Sequence, residues 1–204
     1  MGNKKLPLSF YESCDTLTLA RKLLGCELVH ESPDGITSGI IVETEAYLAN
    51  DPACHAYNRR TPRTEPMYAG AGTIYIYLIY GMYQCINVVS NVKDIGEAVL
   101  IRALQPVEGI ELMQQRRQLR KTKTDIKIKP VILKELCRGP GKLVNAMGIE
   151  RDTHNNHLFT EGPLYIKESD PVDFEISSSS RIGINVGVDL PYRFFIRNNL
   201  FVSR

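Results

Sequence analysis

Hydrophobic and polar positions along this chain follow two periods, and the points where the period changes mark the expected elements. Over residues 15–25, D-T-L-T-L-A-R-K-L-L-G, Leu17, Ala20 and Leu24 fall on one helical face. Asp15 or Thr16 can cap that helix, and Gly25 stands where a left-handed closing residue belongs. Glu27 to His30 and Ile36 to Glu45 read as strands joined by the turn residues S-P-D-G. The strongest alternation runs over residues 73–92. Tyr75, Tyr77 and Ile79 share one face, and Ile74, Ile76, Leu78 and Tyr80 the other. Gly81 interrupts the run and predicts a hairpin reversal. Ala98 to Ala103 reads as a further strand. Pro106 is expected to open a helix to about Leu119, with Val107, Ile110 and Met113 facing inward. Val131 to Cys137 and Pro140 to Met147 read as two short helices, the second closed by Gly148. Residues 49–66 cluster Pro52, Pro62 and Pro66 with Arg59, Arg60 and Arg63, which predicts a long polar loop, and 121–129 a basic one. No repeat or linker divides the chain, so the pattern predicts one α+β domain over residues 1–204.

Composition narrows the class. Hydrophobic residues make up 43% and charged residues 24%, as in globular proteins. No apolar run approaches the roughly 20 residues of a membrane span, and M-G-N-K-K-L-P-L lacks the apolar stretch of a signal peptide. A cytoplasmic protein is expected, or a nuclear one in a cell with a nucleus. The five cysteines contain no C-x-x-C pair, which favours reduced, buried thiols over disulfides or a zinc ribbon. The net charge of +2 hides a block: residues 102–142 carry 11 basic and 4 acidic side chains, a net of +7. Such a block suits a polyanion-facing surface, and equally a solvated helix face beside a lysine-rich loop.

Several clusters carry candidate chemistry. In V-E-T-E-A-Y, Glu43 and Glu45 share a strand face and could look into one cleft, although spacing alone favours a solvent-facing strand edge. Tyr75, Tyr77, Tyr80 and Tyr83 could fill a half-buried sheet face or form a stacking platform for bases, with a hairpin-tip aromatic as a wedge. His154 and His157 suit a surface turn better than a metal site. R-G-P-G-K-L resembles an anion-gripping turn at a helix start but lacks the spacing of a nucleotide-hydrolysing loop.

Taken in order, V-E-T-E-A-Y-L, H-A followed by R-x-T-P-R, G-T-I-Y-I-Y-L-I-Y-G-M-Y-Q-C-I-N, V-L-I-R-A-L-Q-P-x-E-G, L-C-R-G-P-G-K-L-x-x-A-M-G-I, R-I-G-I-N and R-F-F-I-R resemble the alkyladenine (3-methyladenine) DNA glycosylase family from about Leu19 to Ser203. The resemblance implies a single domain with a curved antiparallel sheet, surrounding helices and a protruding tyrosine-rich hairpin. It implies a monofunctional repair enzyme that flips 3-methyladenine or 7-methylguanine from duplex DNA and hydrolyses the N-glycosidic bond, without strand cleavage. Hypoxanthine and etheno-adenine are further lesions the pocket loop could admit. By the same resemblance Glu45 is the general base, with Arg102 and a backbone carbonyl at Ile184 completing the water site. Tyr47, His55 and Tyr77 are the walls of the base pocket, Asn87 its gate against guanine, and Tyr80 the wedge. Arg59, Arg63, Arg138 and Lys142 are expected on DNA phosphates. No metal or organic cofactor is implied, the partner is double-stranded DNA with damaged purines, the protein is expected to be a nucleoid-associated monomer, and no membrane is involved. A catalytically silent nucleic-acid-binding module is the competing class, and a nucleotide hydrolase a third.

Overall fold

The computed structural model describes residues 4–79, 81–119, 130–170 and 172–203. One antiparallel sheet organises them. Its order is β3 (Ile74–Ile79), β4 (Tyr83–Val89), β5 (Ala98–Glu108), β2 (Gly35–Tyr47), β1 (Glu27–Ser32) and β6 (Leu164–Lys167). β2 is long enough to take two partners along one edge: β1 pairs with its first half and β8 (Arg193–Ile196) with its second. β7 (Ile176–Ser179) then pairs with β8. Splitting one edge between two neighbours curls the sheet.

Helices pack around it. α1 (Leu8–Glu12) precedes α2 (Thr16–Lys22), which Asp15 caps by accepting from the Thr18 N–H at 2.9 Å. α3 (Ile110–Leu119), α4 (Pro140–Met147) and the single turn α5 (Arg151–His154) follow. α4 ends at Gly148, whose left-handed φ of 68° matches the closing role expected of it.

The predicted alternation along β3 holds. Ile74 and Ile76 enter the main core with Ile86, Val88, Leu143 and Met147. Tyr75 and Tyr77 enter a second cluster on the opposite face with Cys54, Met67, Cys85 and Leu100. Gly81, at φ 67°, makes the reversal, and the Met82 N–H closes it on the Ile79 carbonyl at 3.1 Å.

Four expectations are corrected. Pro106 does not open a helix; β5 runs through it to Glu108, and α3 begins only after Gly109. Pro106 faces Gly39 and Glu108 faces Ser38, so Val107 is an extra, bulged residue and is exposed rather than inward. A bulge is where a strand tolerates a proline. Residues 131–137 form one 3₁₀ turn, Leu133–Glu135, in place of a helix. His154 is buried against His30, with Nε2 atoms 3.1 Å apart, and is not part of a surface turn. Glu43 and Glu45 are fully buried, because β2 lies inside the sheet and not at its edge. Tyr80 and the basic stretch 121–129 lie outside the described residues.

Candidate active site

The site is built where β2 and β5 fall out of register. Ile41 faces Leu104, Glu43 faces Ala103 and Thr44 faces Ile101, so Val42 is extra on one strand and Arg102 on the other. These compensating irregularities aim Arg102 between the two carboxylates. Its Nε donates to Glu43 Oε1 at 3.1 Å, and its Nη1 lies 3.2 Å from Glu45 Oε1. Burial works against the Arg102 charge, but Glu45 and Glu43 outweigh it and hold the guanidinium protonated.

Glu45 accepts two further hydrogen bonds, from the Ile182 N–H to Oε1 at 2.8 Å and from the Tyr47 hydroxyl to Oε2 at 2.8 Å. The Ile182 carbonyl in turn accepts from Arg102 Nη1 at 3.4 Å. Burial, then the neighbouring Glu45, pushes the Tyr47 phenol up, so it remains a donor.

Above this floor lies a cavity of about 160 Å³. Tyr47, Arg102 and Ile182 line its base; Tyr75, Tyr77, His55, Cys85 and Asn87 line its walls. Glu45 sits just behind three of the lining residues. His55 meets Tyr77 edge-on at 4.4 Å between ring centres, and its Nδ1 lies 3.1 Å from the Tyr75 hydroxyl. Burial, aided by the Arg63 charge, pushes His55 down to about 4, so the ring is neutral near pH 7. Asn87 is pinned by donating from Nδ2 to the Tyr75 carbonyl at 3.0 Å. Among the described residues no group of three or more His, Cys, Asp or Glu side chains could hold a metal ion.

A sequence model for methylpurine-DNA glycosylase matches residues 9–200. The chain belongs to the methylpurine-DNA glycosylase family. Members of that family are hydrolases of N-glycosyl bonds that serve base-excision repair of DNA. The chain is 46% identical over 192 residues to a protein of Francisella tularensis subsp. tularensis (strain FSC 198), covering 93% of this chain and 94% of that one. It is 44% identical over 203 residues to a protein of Methanoculleus marisnigri, covering 98% of both. It is 47% identical over 204 residues to one of Clostridium acetobutylicum, covering 98% of this chain and 97% of that one. Each of the three bears the description "Putative 3-methyladenine DNA glycosylase".

Within this glycosylase fold, Glu45, Arg102, Tyr47, His55, Tyr77 and Asn87 come together around one pocket, although they span β2, the loop after it, β3, β4 and β5. Ile184 lines the pocket, but the peptide that meets Glu45 and Arg102 belongs to Ile182, two residues earlier. Of the four basic residues expected on phosphates, Arg59 and Arg63 are exposed and line a groove that has His55 in common with the cavity. Arg138 and Lys142 share Glu135, at 3.0 and 2.7 Å, and Arg138 also donates to the Val202 carbonyl at 2.7 Å. Bonds from Lys142 and then Arg138 pull Glu135 down to about 2.

Four neighbours hold positions around the site that the sequence reading did not assign to them. Tyr75 holds both His55 and Asn87. Arg193 and Ser203 serve Glu43: Arg193 Nε donates to its Oε1 at 2.6 Å and the Ser203 N–H to its Oε2 at 2.6 Å. Arg181 lies directly behind Tyr47. Only the arginine that opens R-I-G-I-N hinted at the last of these, and nothing in its spacing pointed at Tyr47.

Proposed function

We propose that this chain is a monofunctional alkylpurine DNA glycosylase in which Glu45 activates the water that displaces the damaged base. The observation that carries the reading is the placement of Glu45. Its carboxylate is held by Arg102, the Ile182 N–H and the Tyr47 hydroxyl immediately behind an aromatic-walled cavity.

The chemistry follows from these groups. The flipped purine enters between Tyr47 and the His55–Tyr77 wall. Alkylation at N3 or N7 gives the base a positive charge, which electron-rich tyrosine faces favour by about 1–2 kcal/mol in a desolvated pocket. The neutral His55 adds no repulsion. The attacking water takes its place between Glu45, Arg102 and the Ile182 carbonyl. As the glycosidic bond lengthens, the sugar acquires oxocarbenium character, which the Glu45 carboxylate stabilises while it accepts the water's proton. The charged alkylpurine leaves as a neutral base. Asn87, fixed on Tyr75, meets the edge of a normal guanine and excludes it. No lysine lines the cavity among the described residues, which supports hydrolysis over Schiff-base strand cleavage. Hypoxanthine and etheno-adenine, being uncharged, would gain less from the aromatic walls. The Tyr80 wedge fills the gap left by the flipped nucleotide, and Arg59, Arg63 and the basic block, including Arg138 and Lys142, face phosphates. The protein acts as a monomer on chromosomal DNA in the cytoplasm, at the nucleoid. Among the described residues no helix is long and apolar enough to cross a membrane.

A single-turnover assay on methylated duplex DNA tests this. Wild type should release 3-methyladenine and 7-methylguanine, and Glu45→Gln should bind the same duplex without release. Release by Glu45→Gln at the wild-type rate removes Glu45 as the base; binding without release by either protein favours a silent binding module.

A further inference from the structure

Tyr47 lines the base cavity, and its ring is covered by Arg181, which is not among the residues that line that cavity. The Arg181 guanidinium lies 4.7 Å from the ring centre, and 5.4 Å from that of Tyr192. Arg181 is buried, as is the Asp51 carboxylate that pairs with it through both oxygens, Oδ1 to Nη2 at 3.0 Å and Oδ2 to Nη1. The guanidinium also donates to the Ala46 carbonyl at 3.0 Å and to the Gly187 carbonyl at 3.2 Å. Arg181 immediately precedes Ile182, whose N–H holds Glu45. One side chain therefore backs the pocket wall, ties down the segment that closes the site, and stands next to the peptide on the catalytic carboxylate.

Its charge creates a problem that Asp51 solves. A bare guanidinium behind Tyr47 would make the front face of the ring less attractive to a cation. It would also repel a positively charged base across the thickness of one aromatic ring, where little water intervenes. A neutral base would feel much less of this. The bidentate Asp51 carboxylate cancels the charge and leaves the geometry.

We propose that the Asp51–Arg181 pair is a specificity-determining positioning pair, which holds Tyr47 from behind while keeping its backing electrically neutral so that a cationic purine can stack in front. The inference rests on the reading of Tyr47 as a wall of the base pocket. Asp51→Asn leaves Arg181 uncompensated, and excision of 7-methylguanine should fall on the order of tenfold relative to excision of hypoxanthine. Arg181→Gln removes the cation, so the ratio should stay level or rise. The neutral double variant, Asp51→Asn with Arg181→Gln, should return the ratio towards wild type even though it lacks the ion pair.

The experiment times single-turnover excision of both bases from defined duplexes by these four proteins, with folding checked by circular dichroism. Where hypoxanthine leaves too slowly to time, binding of the two lesion duplexes supplies the ratio. A purely structural pair predicts equal losses on both lesions and a double variant no better than either single one, which overturns the inference. If Asp51→Asn does not fold, Arg181→Gln decides, and a fall in its ratio overturns the inference. Failure of wild type to release either base would overturn the glycosylase reading, and the inference with it, whereas an unchanged ratio in an active Asp51→Asn variant would overturn the inference alone.

Discussion

Glu43 and Glu45 stand two residues apart on β2, both fully buried and both paired with Arg102, yet their surroundings differ. Glu43 looks towards β8 and the end of the chain. It is surrounded by donors: Arg102, Arg193, and the N–H and hydroxyl of Ser203 at 2.6 and 2.9 Å. Its partners are all fixed protein groups. Glu45 looks towards the cavity, and each of its partners, Tyr47, Arg102 and Ile182, also lines that cavity. The same residue type thus holds arginines in place at one position and stands against the cavity at the other. What separates them is whether the neighbouring groups belong to the core or to an opening.

The sharpest way to break the comparison is to remove each negative charge in turn. Glu45→Gln should lower single-turnover excision by about 10²–10⁴-fold, the typical contribution of general acid–base catalysis, and should shift urea unfolding less than Glu43→Gln does, because Glu43 still pairs with both Arg102 and Arg193. Glu43→Gln leaves Arg102 with Glu45 and takes from Arg193 the carboxylate it pairs with. It should cost about 3–5 kcal/mol of stability in the same urea titration, as breaking a buried ion pair does. Equal stability losses in the two variants would erase the distinction between them. On the DNA side, Tyr80→Ala should weaken lesion-duplex binding by ~1–3 kcal/mol, as loss of a stacking side chain does. Binding and excision both unchanged would remove the wedge.

The smallest effect concerns His55. Its folded-state value of about 4 lies below that of an unfolded histidine. Neutral His55 therefore supports the fold above about pH 6.5, and that support is lost as pH falls towards 4. Buried His30 and His154, also pushed down chiefly by burial, add to stability in the same direction. Site-resolved NMR separates the three: the His55 ring should remain unprotonated through pH 5, and a midpoint near 6.5 would show the pocket wall to be wet.

Local signals made much of the fold legible in the sequence. The β3–β4 hairpin, with Gly81 at its turn, and α4, closed by Gly148, follow from alternation and glycine placement, which depend on neighbouring residues. The errors came where distant partners decide the outcome. Pro106 looks like a helix opener until Gly39 is seen across the sheet, where an added Cβ would lie 2.9 Å from the Gln105 carbonyl oxygen. Glu43 and Glu45 look like edge residues until β5 on one side and β1 and β8 on the other enclose their strand. Within the site, Glu45, Arg102 and the aromatic walls were found through a resemblance carried by ordered motifs. The pairing of Asp51 with Arg181, 130 residues apart, had no local trace.

The bond between Ser203 and Glu43 also has a consequence for the time at which the protein becomes competent. The two residues are 160 positions apart in the chain. At synthesis rates of about 5–20 residues per second, Glu43 leaves the ribosome roughly 10–30 s before its last donor exists. Throughout that interval the nascent polypeptide can hold β2 and β5 but not the completed charge balance around Arg102. Completion of the network around Glu43 and Arg102 is therefore a late event in the life of each molecule, and partly made chains carry it unfinished.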